Sequence, residues 1–431
     1  MSHTRTEIHN FAAGPSPLPT TVLEEAARGL LNYGNTGMGV CELSHRGKEF
    51  KGIIEGAEGE SRCARAVADS HSRVGVSHSA RMSPTPNVRK LLNIPSNYAV
   101  LFAQGGGTTQ FSSVVLNVLA ARRLQHRSDS EYTPPVLDYV VTGSWSSKAY
   151  TEAQRLSAAS ATSPLFANVR LAATTKPSSF TTLPKRDEYS FTKDAGLVYY
   201  CENETINGIE FPLDQSSPYA FPFDLVPENV PLVADYSSSF LSRPIPNLER
   251  HAIIYAGAQK NLGPSGVTVV IVRNDLLVDT AEAMKLGGVP VVPIQNEYKI
   301  LADNGSLYNT PPTFPIYVSA LVLEHLLSRG GLDGLREING EKARLLYETL
   351  DAAERDGKVR CVVREKEARS WMNVTFETVG EGKEKAFLDG AEAKGFRQLK
   401  GHRSVGGIRA SLYNAVTIDS VKALCEWIKA F

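Results

Sequence analysis

Lys260 stands in Tyr255-Ala-Gly-Ala-Gln-Lys-Asn-Leu-Gly-Pro-Ser-Gly266, directly after the apolar run Ala252–Ala256. Asp235 closes another apolar run, Val230–Ala234. A lysine among small residues at the end of a buried strand, together with a buried carboxylate, is what pyridoxal phosphate demands. The lysine condenses with the cofactor's aldehyde, and the aspartate keeps the pyridine nitrogen protonated so that the ring can take up electrons. A lone lysine after a strand is ordinarily a surface residue. The flanking glycines and the aspartate upstream make the chemical reading the stronger one here.

Further residues fit an anionic cofactor and substrate. Gly105-Gly-Gly-Thr-Thr109 follows a strand-like run and opens a helix, so its bare N–H groups and the helix dipole form a phosphate site that includes Gly107. Trp145 follows another strand in Gly143-Ser-Trp-Ser146; it suits stacking on the cofactor ring, or core packing. Thr205, in Glu202-Asn-Glu-Thr205, suits a hydrogen bond to the cofactor, or a helix cap. Two His-Arg doublets occur, His45-Arg46 and His402-Arg403, with Arg409 close behind the second. Arginine binds carboxylates and phosphates bidentately, so the doublets point to a doubly anionic substrate, whereas either one alone reads as loop charge.

The elements that must position these residues alternate in type. Apolar runs at Tyr98–Phe102, Leu137–Val141, Leu197–Tyr200, Val230–Ala234, Ile253–Ala256 and Val267–Val272 read as buried strands with helical stretches between them. This is the α/β pattern of a mostly parallel sheet, whose ligands bind beyond the carboxyl ends of the strands. Gly107, Trp145, Thr205, Asp235 and Lys260 all fall there. A helix is expected from Thr20 or Thr21, and one long helical stretch from Pro315 to about Ala353. Short strands near Val359–Val363 and Met372–Phe376 with helices near 383–394 and 419–430 suggest a smaller α+β unit.

Composition narrows the classes of function. Lys+Arg and Asp+Glu both number 46, so no basic field attracts nucleic acid or an anionic membrane. No apolar run reaches the roughly 18–20 residues of a membrane span, and the first ten residues lack a signal-like apolar core. The 5 cysteines are scattered without a Cys-x-x-Cys pair, which suggests reduced thiols in the cytoplasm and no metal site.

Longer motifs carry a resemblance. Ser44-His-Arg-Gly-Lys-Glu-Phe50, Gln104-Gly-Gly-Gly107, Glu202-Asn-Glu-Thr-Ile206, Leu241-Ser-Arg-Pro-Ile245, Tyr255-Ala-Gly-Ala-Gln-Lys-Asn261, Asn304-Gly-Ser-Leu-Tyr-Asn-Thr-Pro-Pro-Thr-Phe314 and Lys400-Gly-His-Arg-Ser-Val-Gly-Gly-Ile-Arg-Ala-Ser-Leu-Tyr-Asn414 resemble the phosphoserine aminotransferase family, class-V aminotransferases of pyridoxal phosphate fold type I. The resemblance runs from Asn10 to the end of the chain. It implies a large domain, 15–338, with a seven-stranded-type, mostly parallel sheet, and a small α+β domain made of 1–14 and 339–431. It implies a cytoplasmic homodimer that moves an amino group between L-glutamate/2-oxoglutarate and 3-phosphohydroxypyruvate/O-phospho-L-serine in serine biosynthesis. Lys260 would anchor the cofactor and shuttle the proton, Asp235 would pair with the ring nitrogen, and Trp145 would stack on the ring. Thr205 would contact the cofactor, and Gly107, Thr108 and Gln259 would hold its phosphate with Asn309 and Thr310 of the second subunit. Arg409 would take the substrate α-carboxylate. His402 and Arg403, with the second subunit's His45 and Arg46, would take the substrate phosphate or the side-chain carboxylate of glutamate.

Other readings are weaker. An alanine–glyoxylate aminotransferase has no use for two His-Arg doublets, no cysteine sits where a desulfurase needs one, and intact Lys260 and Asp235 argue against an inert binding protein. Two departures stand out. Many family members carry an arginine where this chain has Thr108, which removes one phosphate contact. Ser61–Pro86, rich in Ser, Arg, Ala and His without period, has no counterpart in the family and reads as an inserted, weakly folding and dispensable segment, or as translated intron, splitting one helix between Glu49–Glu60 and Asn87–Leu92.

Overall fold

The computed structural model describes residues 4–55, 84–128, 132–160 and 164–431. Its strands are β1 (His9–Asn10), β2 (Tyr98–Ala103), β3 (Val136–Val141), β4 (Asn168–Thr174), β5 (Leu197–Cys201), β6 (Asn203–Glu204), β7 (Ile209–Glu210), β8 (Leu232–Asp235), β9 (His251–Gly257), β10 (Thr268–Arg273), β11 (Val359–Cys361), β12 (Asn373–Thr378), β13 (Phe396–Arg397) and β14 (Ile408–Ser411). Its α-helices are α1 (Thr20–Leu31), α2 (Lys48–Glu55), α3 (Pro84–Leu92), α4 (Gly106–Gln125), α5 (Ser144–Ser157), α6 (Thr280–Leu286), α7 (Tyr298–Asp303), α8 (Thr313–Ser328), α9 (Gly331–Arg355), α10 (Lys383–Ala393) and α11 (Ile418–Ala430).

Near-continuous apolar strands need cover on both faces, which is why they assemble into a sheet sandwiched by helices. The sheet has 7 strands in the order β2-β10-β9-β8-β5-β3-β4. β10 runs antiparallel to both of its neighbours, and the other pairings are parallel. The expected mostly parallel sheet is therefore present, and β2, β3, β5, β8 and β9 all point their carboxyl ends the same way. Alternation within the strands divides the core. Val233, Ile253 and Tyr255 face Phe111 and Leu119 of α4, whereas Ala234 and Ile254 face the α8 side with Ile316 and Leu323.

The small unit packs β11-β12-β14 against α10, α11 and the second half of α9. Phe11 joins this core, and β1 pairs with β13, so the N-terminal segment belongs to the C-terminal unit. The long helical stretch expected after Pro315 is instead two helices. Gly330 and Gly331, at φ 89° and 65°, break it between α8 and α9. The division expected after residue 338 falls inside α9. Leu332 and Leu335 pack into the large core, and Leu346 and Leu350 into the small one.

The expected insertion lies, as far as Ser83, outside the described residues. Its last three residues begin α3, where a proline at the first helical position suits the chain. The Thr85 hydroxyl donates to the Ile54 carbonyl at 2.8 Å, so the end of α2 and the start of α3 lie next to each other.

Candidate active site

β8 and β9 end next to each other, in the register Asp235↔Tyr255, and deliver Asp235 and Lys260 to the same rim of the sheet. The tight turn after β9 is held by Gly263 N–H donating to the Ala258 carbonyl at 2.8 Å. The Lys260 ammonium donates to the Ala13 carbonyl. Beneath it is Gly14 at φ +130°, where a Cβ would stand 2.5 Å from the lysine Nζ and 2.9 Å from its Cε. Ser16 closes the contact: its N–H donates to the Gln259 carbonyl at 3.0 Å and its hydroxyl to the Lys260 carbonyl. Tyr413 supports the same carbonyl of Ala13 at 3.1 Å. Burial, and secondarily the charge of Arg409, lower the Lys260 ammonium to about 8, with Asp235 pulling the other way.

Asp235 is almost fully buried. Burial raises its carboxyl above the usual range, while hydrogen bonds from Ser237 and Tyr255 and the Lys260 charge hold it down. The Ser237 N–H donates to Asp235 Oδ1 at 2.8 Å, and Tyr199 and Tyr255 join hydroxyls at 2.8 Å behind it. Such a carboxylate, with no ion pair among the described residues, is suited to a protonated ring nitrogen.

α4 begins beside it. A Cβ at Gly107 would lie 3.6 Å from Ser237 Oγ and 3.7 Å from Asp235 Oδ2. Gly105 adopts φ +93°, and no side chain caps the helix, so its first N–H groups stay available to an anion. Thr108 is exposed in this first turn. Gln259 sits against the end of β9, where its Oε1 would lie 2.7 Å from a Cβ on Gly257. Trp145 lies in the first turn of α5, half-buried, with the Lys148 ammonium 4.0 Å from its ring centroid. Thr205 turns out to be in the turn between β6 and β7, not at a helix cap, and its carbonyl accepts from Arg409 Nη1 at 3.2 Å. Arg409, on β14, thereby reaches the site from the small unit.

The residues thus fit the cofactor expected of them. An amine in a cradle with no room for a Cβ, a buried carboxylate with no ion pair among the described residues and an uncapped helix start converge on one rim. The His402-Arg403 doublet lies on the loop before β14, with His402 Nδ1 2.7 Å from Ser404 Oγ and Arg403 exposed. Burial first, then Arg409, Lys148 and Arg403, lower the His402 imidazole, so this loop sits in a positive field. His45 and Arg46 lie on the loop before α2, half-buried and exposed. Asn309 and Thr310 are exposed, and the Gln104 amide of the same chain donates to Asn309 Oδ1 at 3.4 Å and to the Thr310 carbonyl at 3.3 Å.

Ala13, Gly14, Glu204 and Tyr413 had not been singled out from the sequence.

The pattern of the class-V aminotransferases matches residues 63–424. Phosphoserine aminotransferase of Laribacter hongkongensis is 43% identical over 425 residues, covering 98% of both chains. The solved structure of phosphoserine aminotransferase from Bacillus circulans subsp. alkalophilus is 37% identical, with TM-score 0.78 over 98% of both chains. That of pyridoxal-phosphate-bound phosphoserine aminotransferase from Trichomonas vaginalis is 34% identical, with TM-score 0.77 over 98% of this chain and 99% of that one.

Gly14→Ala is expected to keep the far-ultraviolet circular dichroism of the wild type and to lower kcat/KM by about 100-fold or more, because the new methyl displaces the amine. A variant with wild-type kcat/KM would show that the cradle is not needed.

The apo-protein is expected to capture pyridoxal phosphate faster as pH rises, with a midpoint near 8, since only the neutral amine is nucleophilic. Below the midpoint the rate should fall about tenfold per pH unit. Arg409→Met should move the midpoint upward by removing a repelling charge. A flat profile between pH 6 and 9, or a midpoint that does not move, would contradict this.

Proposed function

The chain belongs to the class-V aminotransferases and, within them, to the phosphoserine aminotransferases, and on that premise we propose how its residues divide the work of the reaction. The enzyme uses pyridoxal phosphate to move an amino group between L-glutamate/2-oxoglutarate and 3-phosphohydroxypyruvate/O-phospho-L-serine. When bound, the cofactor supplies an electron sink for the electron pair of the substrate Cα–H bond.

Lys260 would anchor the cofactor and, once displaced, would take the proton from the substrate Cα and return it. Its lowered basicity lets it act as a base near neutral pH. Asp235 holds the proton on the ring nitrogen. Trp145 and Thr205 hold the ring, and Gly107, Thr108 and Gln259 hold its phosphate, with the dipole of α4 supplying the partial charge that an arginine gives in many relatives. Arg409 takes the α-carboxylate of either substrate. His402 and Arg403 take the distal anion, the phosphate of one substrate or the side-chain carboxylate of the other. The observation that carries this reading is the meeting of Lys260, Asp235 and Arg409 on one rim from two structural units.

The proposal includes a homodimer. The end of α1 and the loop after it, leading to His45, carry exposed Leu31 and Met38, and the segment leading to Asn309 carries exposed Val291, Ile294 and Tyr308. Leu31 is 80% and Val291 76% exposed, so both offer apolar surface to a second copy. Pairing would cover these side chains and bring His45, Arg46, Asn309 and Thr310 of the partner subunit to each site. The two-part division at residue 338 goes with it, as does a cytoplasmic location. The four described cysteines are free thiols, as a reducing compartment leaves them.

Arg403→Ala is expected to raise KM for phosphoserine by roughly 10- to 150-fold, the value of a charge-assisted hydrogen bond, with a much smaller effect on residual turnover of alanine. An unchanged preference for phosphoserine over alanine would place the phosphate clamp elsewhere.

Mixing two inactive variants tests the shared site. Lys260→Ala and Arg46→Ala chains, refolded together, should regain activity, because each hybrid dimer has one site with both residues. Activity no greater than the sum of the separate variants would show that Arg46 serves its own chain.

A further inference from the structure

Two helices start at this rim, and their N-termini are treated in opposite ways. α4 offers its first N–H groups without a side-chain partner. The first three of α5 are taken. Ser144 N donates to Asn207 Oδ1 at 3.0 Å, Trp145 N to Glu204 Oε2 at 2.8 Å and Ser146 N to Glu204 Oε1 at 2.8 Å. The Ser146 hydroxyl adds a bond to Glu204 Oε1 at 2.6 Å. Both acceptors sit on the β6–β7 hairpin, with Thr205 between them.

Glu204 is fully buried, and no arginine or lysine among the described residues pairs with it. A buried carboxylate without a cation is costly unless donors surround it. Here burial raises the carboxyl above its ordinary value, and the Ser146 hydroxyl, the Ser146 and Trp145 N–H groups and the positive end of α5 hold it down. The neighbouring chain makes room for the carboxylate: a Cβ on Gly143 would collide with Glu204 Cδ. Holding a helix end in place does not require a charge, since an asparagine or serine cap suffices. The ion does two things that such a cap does not. It binds two consecutive N–H groups with separate oxygens, which fixes the direction of the first turn, and it makes that turn hostile to a second anion.

We propose that Glu204 is a positioning residue for the transamination reaction. Its carboxylate locks the Trp145 turn to the Thr205 turn as one unit, and it denies the α5 N-terminus to the cofactor phosphate, leaving the start of α4 as the anion site. Through Thr205 the same unit meets Arg409, so the cofactor-facing and substrate-facing residues share one support. This inference rests on the reading that pyridoxal phosphate lies between these turns.

The test compares wild type, Glu204→Gln, Asn207→Ala and Thr417→Ala. Thr417 caps the remote α11 through Ser420 N, so its variant reports the loss of an ordinary cap. Pyridoxal phosphate is titrated into each apo-protein and followed by quenching of tryptophan fluorescence and by the circular dichroism of the bound cofactor. Glutamine keeps one acceptor oxygen and turns an NH2 group toward an N–H donor. Glu204→Gln is therefore expected to bind the cofactor about tenfold or more weakly, with altered cofactor circular dichroism and a lowered kcat at nearly constant KM for phosphoserine. Asn207→Ala should shift the same readouts less, and Thr417→Ala should lower Tm alone. Wild-type affinity and circular dichroism in Glu204→Gln would overturn the inference. Should that variant fail to fold, wild-type readouts in Asn207→Ala overturn it instead. If wild type itself shows no quenching, the reading of the cofactor site fails first.

Discussion

The amine of Lys260 resting on the Ala13 carbonyl, above a glycine that leaves no space for a side chain, is the contact on which the rest of the site depends. It brings together three parts of the chain that are far apart in sequence. The N-terminal segment supplies Ala13 and Gly14, the sheet supplies the lysine, and β14 with its following turn supplies Tyr413 and Arg409. The N-terminal segment can reach this place only because Phe11 is anchored in the small core and β1 is paired with β13. Holding the lysine thus requires both structural units to be in register.

Charge is arranged around that contact by burial more than by pairing. Desolvation destabilises the Lys260 cation and the Asp235 anion alike. A cationic ring nitrogen and an anionic substrate are what such groups are short of, so ligand binding is what resolves the mismatch. Where the site needs only rigidity, two buried carboxylates share one arginine instead. Arg243 lies between Glu202 at 2.5 Å and Glu210 at 3.0 Å, and the Trp371 N–H donates to Glu210 at 2.5 Å. This buried group fastens the hairpin of Thr205 to the small unit. Removing its arginine would leave two buried carboxylates and cost about 3–5 kcal/mol, as for other broken buried pairs. Lys342 does comparable work without an anion, donating to the carbonyls of Leu412, Tyr413 and Val416.

Lys260 and Asp235 were legible because strand-end chemistry leaves a local mark: an apolar run, then a reactive residue among small ones. Six strands of the sheet were legible for the same reason, being buried on both faces, whereas the edge strand β4 is part-exposed and leaves no such apolar run. Glu204 and Gly14 were not, because their roles are contacts across the sheet rim that no local pattern encodes. The break between α8 and α9 was missed because apolar periodicity continues through Gly330-Gly331, and only the positive φ values stop the helix. The boundary of the insertion was drawn three residues late, since Pro84–Pro86 looked like loop but begins α3. The likeness to the aminotransferases placed Asn309 and Thr310 at a partner's site. A single chain places them near its own Gln104, on an exposed loop that a second copy could face.

The most direct measurement is borohydride reduction of the chain loaded with pyridoxal phosphate, followed by peptide mass spectrometry. Reduction makes the covalent link to lysine permanent and reports which amine lies within reach of the aldehyde. The account predicts one labelled peptide, modified at Lys260, and none in Gly14→Ala at the same cofactor concentration. Label on Lys148 or Lys342 in place of Lys260, or equal labelling of the glycine variant, would contradict it.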